Sequence, residues 1–178
     1  MDVEFVPLAK NFLAKNEVSI SDSLQPEELI QALAKHFEAL VFNITSLAAM
    51  VAIIHNDKKI MPKHLVSAQA YIAYQCVGEK AVKKIKGGTK NTESTVVDVE
   101  GIEMDEVAQN CVDMDMRKYI HNILAYQEIT IGKGAMAGIL RILHSHMGCL
   151  LKDIRANEPI TIKRLESIMS LRRHAVFH

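Results

Sequence analysis

Lys58, Lys59 and Lys63 crowd one short stretch, "NDKKIMPKHL" (56–65), and amines at that density suit phosphate or carboxylate partners. The stretch reads as a loop, because Asn56 and Asp57 stop one apolar run and Pro62 opens another. A hundred residues later, "ANEPITIKRL" (156–165) repeats Ile60, Lys63 and Leu65 as Ile160, Lys163 and Leu165 and adds Arg164. A further lysine, Lys133, stands between Gly132 and Gly134, where a backbone without side chains permits close approach to a ligand. "HSHMGC" gathers His144, His146 and Cys149, but residues two apart on a helix point roughly 200° away from each other, so no shared metal is expected. "GKGAMAG" lacks the spacing of a phosphate loop, and neither G-x-S-x-G nor H-E-x-x-H occurs. The expectation is a protein with no catalytic residues, no cofactor, no metal and no small-molecule substrate.

The composition narrows the class. The 178 residues suffice for a sizeable core, and low aromatic content with no Trp favours helices over strands. Cys76, Cys111 and Cys149 form neither a disulfide framework nor a zinc pattern, which fits a reducing compartment. The acidic opening "MDVEFVPLAK" has no apolar signal core, and no secretory peptide is expected. The apolar run "FEALVFNITSLAAMVAII" is interrupted by Glu38, Asn43, Thr45 and Ser46, so no membrane span is expected. Net charge is zero by cancellation: residues 1–86 carry +1, 87–115 carry −7 and 116–178 carry +6.

The acidic segment 87–115 opens on Gly87-Gly88 and reads as a linker, with "STVVDV" and "MDEVAQNCV" as short structured pieces. On either side, one order of elements occurs twice. Helical spacing predicts helices over 5–17, 25–57 and 62–86, then over 115–128, 135–158 and from 163 onward. Short alternating stretches, "VSISDS" and "ITIGKG", precede the two long helices. "LAKNEVSISD" (13–22) aligns with "LAYQEITIGK" (124–133) at an offset of 111 residues, whereas the second loops align at an offset of 100. At 100, the pairs Leu40/Leu140, Phe42/Ile142, Leu47/Met147, Met50/Leu150, Val51/Leu151 and Ile54/Ile154 form one apolar stripe in both copies. The difference of eleven residues is expected near "SLQPEELIQAL".

Short helix, extended loop, long helix, extended loop and short helix together resemble the histone fold, and the likeness is sharpest at the four loops. The chain is similar to a histone doublet of the kind known from large DNA viruses, with a lack of basic tails that looks viral or archaeal. The resemblance implies an all-α chain in which two histone folds form an intramolecular handshake pseudo-dimer: residues 1–86, a linker 87–115, and residues 116–178. It implies parallel bridges between 18–20 and 160–162 and between 59–61 and 129–131. Where the family pairs an Arg before the second loop with an Asp in the last helix, this chain has Asp57 with His64, a reversed pair, and Asn157 with Arg164.

The resemblance also implies where DNA would lie. One loop end offers Lys58, Lys59, Lys63 and Lys133; the other offers Lys163 and Arg164, opposed by Ser19, Ser21, Asp22 and Glu158. The first helices offer Arg117, Lys118 and Lys10. "EKAVKKIKGGTK" and "SLRRHAVFH" are further basic stretches, the second a candidate contact between copies. Double-stranded DNA is the expected partner, with other histone-like proteins or copies of itself as further ones, in a virion, a viral factory, the host nucleus or chromatin. The alternative is a histone-fold assembly subunit that binds protein and not DNA, favoured by zero net charge and the acidic segment.

Overall fold

The structure, a computed structural model, describes residues 5–77 and 116–176, with side chains over 5–70 and 116–170. The acidic segment, the 79–90 lysines and Cys111 lie outside these residues, and the side chains of Cys76 and of the last helix's end are not described.

The described chain is mostly helical. Its elements are α1 (Phe5–Asn16), α2 (Pro26–Ile54), β1 (Lys59–Ile60), α3 (Pro62–Val77), α4 (Met116–Ala125), β2 (Thr130–Ile131), α5 (Lys133–Ala156) and α6 (Ile162–Val176). Pro26 opens α2 with Glu27 and Glu28 in the first turn, where carboxylates favour the positive helix end. Asn56 closes α2 in the left-handed region (φ 58°). Its N–H donates to the Ile53 carbonyl (3.0 Å) and the Asp57 N–H reaches back to the Ala52 carbonyl (2.8 Å), a Schellman turn.

α2 and α5 form the centre, and both halves contribute to one continuous apolar core. α2 packs against α1, α3, α4 and α5, while α3 and α6 pack on each other. The loops pair across the halves in parallel: Lys59 opposite Thr130, Ile60 opposite Ile131, and Ile20 bridged to Ile160. These are the bridges that the resemblance implies, and the side chains of Ile60 and Ile160 are fully buried beneath them.

The repeat is real in burial, but its register differs from the expected one. Phe37/Ile139, Leu40/Ile142, Val41/Leu143, Ala48/Leu150 and Ala52/Ile154 are all buried, which sets the long-helix offset at 102. At the expected offset of 100, Ile142, Leu150 and Ile154 are buried, whereas Phe42 (49% exposed), Met50 (54%) and Ile54 (71%) face outward. The reason is the Asn56 turn, which gives the first copy two extra residues between helix and loop. The remaining nine precede the helix register: Glu17 and Glu128 both take positive φ (48° and 52°) at the 111 offset, and Leu24 and Leu29 fill the longer entry as core residues.

A second expectation also changes. α2 is long and apolar enough to cross a membrane by length and composition, despite its interrupting polar residues. Twelve of its residues are nevertheless buried against the rest of the bundle.

Candidate nucleic-acid interface

One end of the molecule is built from the β1–β2 pair. The Thr130 N–H donates to the Lys58 carbonyl (3.3 Å) and the Gly132 N–H to the Ile60 carbonyl (2.9 Å). A side chain at Gly132 would lie 3.3 Å from the Ile60 oxygen and 3.4 Å from Cε of Lys59, so a larger residue would push the paired loops apart by a few tenths of an ångström. A side chain at Gly134 would meet Pro62 at 3.3 Å. The N-termini of α3 and α5 therefore meet here, beside exposed Lys58, Lys59, Lys63 and Lys133. Among the described residues Lys58, Lys59 and Lys133 join no ion pair; Lys63 Nζ stands 3.3 Å from Asp57 Oδ2.

Asp57 and His64 form the reversed pair that stands at the family's paired positions. His64 is fully buried, and its Nδ1 accepts the Met61 N–H at 2.8 Å. A neutral ring accepting at Nδ1 carries its proton on Nε2, which is the atom 2.8 Å from Asp57 Oδ2. The hydrogen bond from His64, then that from Lys63, holds the Asp57 carboxyl below its ordinary value. His55, Asp57 and His64 also lie within ligand reach of one another. The tautomer argues against a metal there: a cation at His64 Nε2 would have to displace its proton while Nδ1 already accepts a backbone bond.

The opposite end has the same plan and a different charge. Ile160 N–H donates to the Ser19 carbonyl (3.0 Å) and Ser21 N–H to the Ile160 carbonyl (2.9 Å). Glu158 Oε1 accepts the Ser19 N–H (3.4 Å), and Arg164 Nη1 donates to the Asn157 carbonyl (3.2 Å). Lys163 is exposed, but so are Asp22, Glu27, Glu28 and Glu158 on the neighbouring loops and helix start. Between the ends, an edge contact of Phe5 with Tyr119 (5.0 Å between ring centres) joins α1 and α4, whose exposed faces carry Lys10, Arg117 and Lys118.

His144 is exposed, whereas His146 is buried with its Nε2 2.7 Å from that of buried His36, so the histidines of "HSHMGC" diverge as expected. Two grooves also repeat. α1 and α5 flank one of about 290 Å³, lined by Leu8, Asn11, Phe12 and Gly148 among others. α4 and α2 flank its counterpart, where Tyr119, Asn122, Ile123 and Ser46 hold the equivalent positions. The His36–His146 pair and the second groove carry no local sequence signal.

Comparison with known proteins returns no match: no family model, no curated protein and no solved structure corresponds to this chain.

Proposed function

We propose that this chain is an architectural DNA-binding protein, two histone folds joined as an intramolecular handshake pseudo-dimer that bends or compacts DNA without reading its bases. The observation that carries the reading is the β1–β2 loop pair, which gathers Lys58, Lys59, Lys63 and Lys133 around two helix N-termini. Backbone amides at helix starts and exposed amines suit phosphate oxygens, and neither distinguishes one base from another. The resemblance in element order and in both parallel bridges supports the fold part of the proposal. A viral or archaeal-like source follows from the same resemblance.

A gel-shift titration with random-sequence duplex tests it. Binding is expected at low salt and should weaken steeply between about 50 and 200 mM. Absence of binding at low salt sinks the reading.

A second reading is a protein–protein assembly subunit of the same fold. Exposed Phe42, Met50, Ile53 and Ile54 favour it, because an uncovered apolar helix face marks a contact surface.

A further inference from the structure

The outer face of α2 carries apolar residues that nothing among the described residues covers. Phe42, Met50, Ile53 and Ile54 are 49, 54, 50 and 71% exposed. With Ser46 they line one side of the helix over about 18 Å. Tyr126, 92% exposed, flanks the strip beside Phe42. The repeat does not demand this face. At the 102 offset the corresponding residues of α5 are His144, Gly148, Lys152, Arg155 and Ala156, all exposed and none apolar and large. The strip is therefore particular to the first copy, and it runs into Lys58 and Lys59 four and five residues beyond Ile54.

We propose that this face docks the chain's own acidic segment, residues 93–115. The complementarity is twofold. The segment alternates Val97, Val99, Ile102, Met104 and Val107 with Asp98, Glu100, Glu103, Asp105 and Glu106, so it offers apolar side chains to the strip and carboxylates to the lysines. It also contains no Lys or Arg.

The tether permits it. The segment joins α4 at Met116, and α4 lies on α2, with Tyr119 Oη donating to Glu38 Oε1 at 3.5 Å. Glu38 to Ile54 spans about 24 Å of helix, a distance that roughly eight extended residues cover. The dimensions favour one strand of chain over a second copy. A strip one helix wide and about 18 Å long offers on the order of 200 Å², against about 800 Å² per partner in a stable dimer.

Zero-length carbodiimide cross-linking of the full-length protein tests this, using a mixture of ¹⁵N-labelled and unlabelled chains without DNA. Cross-links from Lys58 or Lys59 to acids of 93–115 are expected within single chains. The Met50→Ser/Ile54→Ser variant should lower their yield about tenfold, as expected for losing roughly 1.4 kcal/mol of apolar contact. Its thermal melt controls for folding, since both side chains are more than half exposed. As an independent measurement, replacing 93–106 by a Gly/Ser linker of equal length should raise the binding of an apolar fluorescent dye. Cross-links between differently labelled chains would assign the face to a second copy and overturn the proposal. Absent cross-links, a yield unchanged in the variant, or unchanged dye binding would overturn it as well.

Discussion

Nε2 of His36 lies 2.7 Å from Nε2 of His146, where α2 and α5 cross in the core. One ring must donate and the other accept, so Nε2 carries a proton on one ring and presents a lone pair on the other. At the 102 offset the equivalent positions are Gly138 and Ile44, so the polar pair occurs once and breaks the symmetry of the repeat. A buried polar contact of this kind discriminates between ways of packing two similar helices.

Removing either ring exposes the other to an apolar neighbour. His36→Leu and His146→Leu should each cost about 1–3 kcal/mol of stability. The double variant should cost less than the two together by at least about 0.5 kcal/mol. Urea unfolding of the four proteins measures the coupling, and strict additivity would deny it.

Thr45 offers the opposite case. Its side chain is fully buried and its hydroxyl has no hydrogen-bond partner among the described residues. Thr45→Val keeps the shape and removes the stranded group, so stability should rise by about 1 kcal/mol and the melting temperature by roughly 2–4 °C. A thermal scan that shows no rise would mean that water or a neighbour already satisfies the hydroxyl.

Asp57 makes the basic end sensitive to acid. Its carboxyl titrates below the ordinary 3.8 in the folded protein because His64 and then Lys63 hydrogen-bond its charged form. A depressed folded value contributes stability that is complete above the unfolded value and is lost as pH falls through the folded one. Asp57→Asn should therefore be less stable than the parent near neutrality, and the gap should close as pH falls below 3.8. Urea midpoints at about pH 6 and about pH 3 give the comparison.

The two ends should differ in DNA binding. Lys58→Ala/Lys59→Ala/Lys133→Ala should reduce the slope of log affinity against log salt by about 2–3, since each phosphate contact contributes close to 0.9. Lys163→Ala/Arg164→Ala should change it by less than about 1, because Arg164 already donates to the Asn157 carbonyl and the paired loops at that end carry exposed Asp22 and Glu158. Equal slopes would place the contacts elsewhere on the surface.

Much of the architecture was legible because its signals are local. Pro26, Pro62 and Asn56 punctuate the helices, whereas the loop pairing that the backbone bonds display was expected from the resemblance to the histone fold and not from the stretches themselves. Asp57 and His64 were legible through the same resemblance, as the residues at the family's paired positions, and they lie only seven residues apart across one turn. The face of α2 was not. Apolar residues surround that helix, so periodicity alone could not separate Leu40, which is buried, from Phe42, which is not. The Asn56 turn adds two residues, and a register carried back from the loop then points Met50 and Ile54 the wrong way. The His36–His146 contact joins positions 110 residues apart and is decided by how the two long helices cross.

Each end of the molecule is sewn from distant stretches, 58–60 with 130–132 and 19–21 with 160. A protease cut within 78–115 severs none of these bonds and divides no described helix. The nicked halves would then share one core as a non-covalent complex, and their association would become second order. In the unbroken chain the same closure is unimolecular, so both ends assemble at dilutions where separate halves would part.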